Sequence, residues 1–154
     1  MVKVRLYLVR HGKTMFNTIG RAQGWSDTPL TAEGERGIQE LGIGLRESGL
    51  QFERAYSSDS GRTIQTMRII LDELGLQGKI PYRMDKRIRE WCFGSFDGAY
   101  DGDLFMGIIP RIFNVDHVHQ LSYAELAEGL VEVDTAGWAE GWEKLSGRIK
   151  EGFE

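Results

Sequence analysis

The sequence has little cysteine and no long hydrophobic run, and each scarcity excludes a class of protein. Cys92 is the only cysteine in 154 residues, so no disulfide can form within the chain, and a reducing compartment is expected. Lys3 and Arg5 interrupt the apolar N-terminus, which argues against a signal peptide, and no stretch reaches the length of a membrane span. Lysine and arginine total 19 against 23 acidic residues, so a basic face for nucleic acid is not expected. We therefore predict a cytoplasmic protein with no nucleic-acid and no membrane partner.

The chain contains enough apolar material for one folded domain. Hydrophobic residues make up 41% of the 154 positions, and this length suits a single domain over residues 1–154. Only three prolines interrupt it, whereas twenty glycines, many inside helical patterns, make the predicted helix ends less certain.

Strand-like and helix-like segments alternate along the first half of the chain. The predicted order is a strand at residues 2–9, a loop at 10–30, a helix from the Thr31 N-cap to a stop at Gly49, a strand at 52–57, a helix from about Asp59 to Gly75, and a strand at 79–84. The second half of the first strand should be buried on both faces. A capping box of Ser122 and Glu125 predicts a later helix, and a last helix should start near Ala136. This β-α-β-α-β order implies an α/β fold on a mostly parallel sheet, with ligands bound beyond the carboxyl ends of the strands.

The stretch LVRHGKT at residues 8–14 stands at one such strand end. Arg10 offers a planar fork of donors that suits phosphate or carboxylate. His11 can act as nucleophile, acid or base because its pKa lies near neutrality, and Gly12 would let the backbone come close to a ligand. Taken alone, the triplet favours the structural interpretation, a histidine satisfied at a strand end beside a surface arginine.

Three further motifs follow the triplet in order. They are NTIGRAQGWSDTPLTAEG at 17–34, YSSDSGRTIQT at 56–66 and IREWCFGSFDG at 88–98. Together the four stretches resemble the histidine phosphatase superfamily, also called the phosphoglycerate mutase-like family, over nearly two thirds of the chain. The resemblance implies a three-layer α/β/α fold.

The resemblance also implies a role for five residues. His11 would be the nucleophile that takes the phosphoryl group, Arg10 and Arg62 would clamp the phosphate oxygens, and Asn17 would touch the phosphate. Glu90 would protonate the leaving oxygen and later activate water. Two guanidinium groups can neutralise the charge of a phosphoryl group in transfer, so no metal and no cofactor is expected.

Each of these residues also has a structural interpretation. Arg62 lies near the start of a predicted helix, where a cation is slightly unfavourable, and this misfit favours a functional role. Asn17 could hold a turn, and Glu90 could be a solvated loop charge. Glu33 and Asp27 are interpreted as capping and loop residues.

The chain departs from the family pattern after residue 98. The family has a second histidine, in a turn after a late strand, that completes the phosphate pocket, and no such motif is found here. His117 and His119 precede the last helix and are not followed by glycine, so we do not assign them that role. With Asp116 they could bind zinc, but no third or fourth ligand is evident, and two polar loop histidines are favoured. We expect that the C-terminal part of the family domain is missing, or that the chain is a short variant with a degraded site.

The favoured function is hydrolysis of a small phosphomonoester through phospho-His11. A phosphoglycerate mutase-type reaction is one alternative, and residues 99–134 are interpreted as the kind of capping insertion that mutases carry. A non-catalytic phosphate-binding module or an inactive fragment is the other. A dinucleotide-binding domain is disfavoured because no G-x-G-x-x-G follows the first strand. The oligomeric state stays open, a homodimer included.

Overall fold

The computed structural model describes residues 4–154, and helices dominate it. The helices are α1 (Met15–Ile19), α2 (Ala32–Glu47), α3 (Gly61–Glu73), α4 (Ile109–Phe113), α5 (Tyr123–Val133) and α6 (Trp142–Phe153), and the strands are β1 (Ala55–Ser57) and β2 (Tyr82–Met84). Single 3₁₀ turns lie at Lys86–Ile88, Gly94–Phe96 and Val118–Gln120, and a π-helical segment, Gly102–Ile108, leads into α4.

The two strands and the helix between them form a parallel β-α-β unit. Ala55 lies opposite Tyr82, and Ser57 lies opposite Met84. Helix α3 makes the crossover and packs against α2. A Cβ on Gly42 would lie only 2.7 Å from the Cβ of Glu73, so glycine lets these two helices approach closely. This unit confirms the predicted α/β class and the parallel strand direction.

The prediction of a first strand is wrong for the part of it that the structure describes, residues 4–9. Residues 2 and 3 lie outside the described residues, and residues 4–9 join no sheet within residues 4–154. Leu8 is 77% exposed, although burial on both faces was expected for the second half of this strand, and Val4 is 84% exposed. The ring of Tyr7 does pack edge-on against Phe52, with 5.5 Å between centroids. Because a strand exists only through hydrogen bonds with a neighbour, an apolar run without such a partner stays extended and exposed.

Two element boundaries differ from the sequence prediction for local reasons. The expected loop at 10–30 contains α1, because the Thr14 side chain caps the helix and Gly20 ends it with a φ of 66°. The last helix begins at Trp142 and not near Ala136. The carboxylate of Asp134 accepts hydrogen bonds from the N–H groups of Ala136, Trp138 and Ala139, which hold this segment in a turn.

The main hydrophobic core lies in the second half of the chain. Its buried members from the π-helical segment, α4, α5 and α6 include Leu104, Ile109, Leu130 and Leu145. The predicted capping box of Ser122 and Glu125 is confirmed at the start of α5. Residues 99–134 thus supply much of this core, and their role as a capping insertion stays a prediction. Nowhere in residues 4–154 is a helix both long and apolar enough to cross a bilayer.

Candidate active site

The loop that carries the Arg10–Gly12 triplet is packed tightly against two helices. The N–H of Gly12 donates to the Thr66 hydroxyl of α3 at 3.0 Å. A Cβ on Gly12 would lie 2.9 Å from Cγ1 of Ile38 and 3.0 Å from the carbonyl oxygen of Gly34, both on α2. The glycine is therefore required for a close approach to α2, whereas the sequence suggested an approach to a ligand.

His11 is half-buried and oriented by its own loop. Its Nδ1 lies 2.8 Å from the carbonyl oxygen of Gly12. A carbonyl can only accept, so Nδ1 carries the proton and Nε2 keeps its lone pair. Burial has the largest effect on the pKa of His11 and lowers it. The hydrogen bond to the Gly12 carbonyl raises this pKa, the charges of Arg62 and Arg10 lower it, and Glu90 raises it, with a net lowering from the ordinary histidine value. The imidazole is therefore neutral at pH 7, as a nucleophile requires.

Arg62 is a buried cation whose side chain is 2% exposed. Its Nη1 donates to the Ser26 carbonyl at 2.9 Å and to Asp27 at 3.0 Å. Its Nη2 donates to the carbonyls of Gly24 at 2.8 Å and Gln23 at 3.4 Å. Its Nε–H has no partner among residues 4–154 and is shielded from solvent. An unpaired buried donor is costly, and because this atom is shielded from solvent, a bound anion would respond to the charge of Arg62 and not contact this N–H.

Asp27 is a site residue that the sequence did not reveal. Besides Nη1 of Arg62, its Oδ1 accepts the backbone N–H of Arg62 at 3.3 Å. The carboxylate therefore orients the guanidinium across 35 residues of sequence. Nothing in a short Ser-Asp-Thr-Pro loop indicates so distant a partner, and the interpretation as a plain loop residue was incomplete.

Arg10 and Asn17 are both exposed. Arg10 lies close enough to His11 for its charge to act on the pKa of the imidazole. Asn17 holds the start of α1, because its Oδ1 accepts from the N–H of Thr14 at 3.1 Å and from the Thr14 hydroxyl at 3.0 Å. Asn17 thus holds a turn, the structural role that the sequence analysis considered for it. Contact with a phosphate stays a prediction for both residues.

Glu90 is exposed and faces the same region. Its Oε1 accepts the N–H of Trp91 at 2.8 Å, and its negative charge acts on the pKa of His11. The indole Nε1–H of Trp25 donates to the Glu90 carbonyl at 3.0 Å. His11, Arg10, Arg62 and Glu90 are therefore brought together from three separate places in the chain.

The two remaining histidines do not form a joint site. His117 has an extended backbone, whereas His119 lies inside the 3₁₀ turn Val118–Gln120, so the extended His-x-His geometry considered for zinc is not present. In the part of the chain that the structure describes, no three histidine, cysteine, aspartate or glutamate side chains lie close enough to hold a metal.

Comparison with known proteins decides the family. The sequence profile described as "Histidine phosphatase superfamily (branch 1)" matches residues 6–104. The chain belongs to this superfamily. The matched span contains all four residues grouped around His11, whereas α5 and α6 lie outside it.

Relatives within the histidine phosphatase superfamily are named as mutases and as phosphatases. A 2,3-bisphosphoglycerate-dependent phosphoglycerate mutase from Bradyrhizobium sp. is 36% identical over 98 residues, which are 64% of this chain and 47% of that protein. The crystal structure of phosphoglycerate mutase from Bacillus anthracis str. Sterne is 36% identical with a TM-score of 0.83, over 93% of this chain and 63% of that one. A candidate alpha-ribazole-5'-P phosphatase from Escherichia coli shares the fold at 23% identity, with a TM-score of 0.69 over 94% of this chain and 63% of that one. The chain thus spans less than half of that curated relative and about three fifths of these structures.

Proposed function

We propose that this chain carries out phosphoryl transfer through a phosphohistidine on His11, and that its reaction is hydrolysis of a small phosphomonoester. The observation that carries the proposal is the state of His11. Its Nδ1 is tied to Gly12, its pKa is lowered, and Nε2 is left with a lone pair beside two guanidinium groups. A neutral imidazole held in one tautomer is ready to attack phosphorus.

In the first step, Nε2 of His11 attacks the phosphorus atom of the ester. The N–P bond forms, the bond from phosphorus to the ester oxygen breaks, and the electron pair leaves on that oxygen. The carboxyl group of Glu90 donates a proton to the leaving oxygen, so an alcohol departs. The guanidinium charges of Arg10 and Arg62 stabilise the negative charge on the phosphoryl oxygens.

In the second step, water attacks the phosphohistidine. The Glu90 carboxylate accepts a proton from the water, the N–P bond breaks, and its electron pair returns to Nε2. Inorganic phosphate leaves, and both residues return to their starting states. Arg62 lies in the first turn of α3, where the positive end of the helix dipole also favours a bound anion.

A mutase reaction is the second candidate, because the curated relatives are named phosphoglycerate mutases. A mutase must keep water away from its phosphoenzyme. Here Glu90 and Arg10 are both exposed, so water reaches the place where it would act. This exposure favours hydrolysis in the present chain. A cytoplasmic location and the capping role of residues 99–134 belong to the same proposal.

The test is the intact mass of the protein after a brief incubation with p-nitrophenyl phosphate. We expect a transient gain of one phosphoryl group in the wild type and in His119→Ala, which removes an exposed histidine outside the site. The gain should be absent in His11→Ala. A phosphoryl group that persists in His11→Ala would overturn the assignment. Binding of inorganic phosphate without any adduct would favour the non-catalytic module.

A further inference from the structure

A buried ion pair joins two residues that lie outside the matched span of the superfamily. Glu140 precedes α6 and is completely buried, and Arg148 lies on α6 with a side chain that is 13% exposed. The two side chains meet in a bidentate pair: Nε of Arg148 lies 2.8 Å from one Glu140 oxygen, and Nη2 lies 2.7 Å from the other. Such a planar pair holds both side chains in one orientation.

The remaining donors of Arg148 point at the backbone around Glu90. Nη1 donates to the carbonyls of Arg87 at 2.8 Å and Arg89 at 2.9 Å, and Nη2 donates to the carbonyl of Glu90 itself at 3.2 Å. Three of the four carbonyls from residue 87 to residue 90 are thus bound by one guanidinium group.

Glu140 holds the same segment from its other end. Its carboxylate accepts the N–H of Cys92 at 3.1 Å, and its carbonyl accepts the indole N–H of Trp91 at 2.8 Å. Its own N–H donates to the Cys92 carbonyl at 3.1 Å. The pair therefore fixes the backbone on both sides of Glu90, while the Glu90 carboxylate remains exposed and makes its hydrogen bond only to the neighbouring N–H of Trp91 within residues 4–154.

We propose that Glu140 and Arg148 are positioning residues that hold the segment 87–92 so that the carboxyl group of Glu90 reaches the leaving oxygen. The proposal rests on the proposed function of Glu90 as the proton donor. A carboxyl group on an exposed side chain is placed by its backbone, and a displacement of about 1 Å can lower a rate about 10²-fold. The pair acts on proton donation and not on the attack by His11, whose loop is held by α2 and α3.

The experiment compares two esters in the wild type and in Arg148→Lys. β-Glycerol phosphate has a poor leaving group that needs a proton, whereas p-nitrophenolate leaves well without one. Because Glu90 also activates the water of the second step, which is the same for both esters, the comparison uses the rate of phosphoenzyme formation in a single turnover. We expect Arg148→Lys to lower this rate by about 10²-fold for the glycerol ester and by less than about threefold for the aryl ester, because general acid catalysis contributes little to a good leaving group. Glu140→Gln should show the same selectivity.

The indole N–H of Trp25 gives a second readout that needs no turnover. It donates to the Glu90 carbonyl, so its ¹H–¹⁵N resonance reports where this backbone lies. We expect the Trp25 resonance to move in Arg148→Lys and to stay in Arg46→Lys, a matched change in an exposed ion pair with Glu73. Trp25→Phe leaves the buried pair intact; it removes this donor and leaves a smaller ring under the guanidinium of Arg89, which lies 4.7 Å from the Trp25 centroid. It should therefore reproduce a weaker form of the ester selectivity if Arg148→Lys fails to fold.

The outcomes separate the two proposals. If the wild type turns over neither ester and forms no phosphohistidine, the proposed function fails, and the positioning role fails with it. If the wild type is active and the variants slow phosphoenzyme formation equally from both esters, only the positioning role is overturned. An unmoved Trp25 resonance in Arg148→Lys overturns it as well. A selective loss on the glycerol ester together with a moved resonance supports it.

Discussion

Replacing Arg62 with methionine tests the buried guanidinium, because its effects on stability and on anion binding can both be worked from the structure. Methionine fills a similar length of space but removes every donor. The carbonyls of Gln23, Gly24 and Ser26 then lose a partner, and the Asp27 carboxylate loses its cation. Breaking a buried ion pair destabilises a protein by about 3–5 kcal/mol. The Asp27 side chain is 33% exposed, so water compensates in part, and we expect about 3 kcal/mol, the lower end of that range.

Inorganic phosphate gives the same variant a second, independent readout. At a phosphate concentration about 100 times Kd, binding stabilises the folded state by about 2.7 kcal/mol. For a domain of this size, each kcal/mol moves Tm by about 2–4 °C, so the wild type should gain roughly 5–10 °C with phosphate. Arg62→Met should melt roughly 6–12 °C lower than the wild type without phosphate, and it should gain nothing when phosphate is added.

The assay is thermal unfolding followed by circular dichroism, with and without phosphate. Arg46→Met is the matched control, since Arg46 is exposed and pairs with Glu73 away from the site. It should keep the full gain from phosphate. If Arg62→Met gained as much from phosphate as the wild type, the role of the buried Arg62 charge in holding an anion would be refuted. If its Tm did not fall, the hydrogen bonds of Arg62 would not contribute as reasoned.

Three further predictions concern the loop that carries the nucleophile. Thr66→Val should lower the free energy of unfolding by about 1–3 kcal/mol, because it leaves the buried N–H of Gly12 without an acceptor. The comparison is with Thr66→Ser in urea unfolding, and an unchanged midpoint would contradict this prediction. Gly34→Ala should destabilise by about 1–3 kcal/mol, because its Cβ would meet the backbone of the loop before α1. Gly37→Ala, in the same helix with open space around it, should instead stabilise by about 0.5–1 kcal/mol, and equal effects would refute the close packing. The pKa of His11 is lowered, so phosphoenzyme formation should be complete at pH 7. It should fall only when the pH drops below the ordinary histidine value of about 6.5. A fall that begins above pH 7 would contradict a lowered pKa.

Local signals in the sequence predicted local structure well. Thr31 caps α2 as expected, and Gly49 and Gly75 follow α2 and α3 with φ values of 69° and 64°. Caps and glycine stops depend on neighbouring residues only, so they can be interpreted without a fold. The parallel β-α-β unit follows from the same alternation of segments.

Features that depend on distant partners could not be predicted in this way. Burial of residues 4–9 depends on which strand pairs with them, and apolar composition does not supply that partner. Arg62 was singled out as a phosphate ligand, but its carbonyl partners in the loop 23–27 lie 36 to 39 residues away. Glu140 and Arg148 belong to none of the four motifs, because their partners are backbone groups, which carry no sequence signature. Direct contact of the predicted site residues with a phosphate remains a prediction.

The two halves of the candidate site, the His11 loop and the Glu90 segment, are held by contacts of different sequence separation. This difference sets the order in which the halves can form. The loop of His11 is fixed by contacts that reach no further than Thr66, and Arg62 lies within the same stretch. The backbone around Glu90 is fixed by Arg148, which comes 58 residues later. Because folding during synthesis proceeds from the N-terminus and contacts that are distant in sequence close late, His11 can be in place while the segment of Glu90 is still unordered. A nascent chain stalled before α6 would therefore be expected to bind phosphate before it can release an alcohol from its ester.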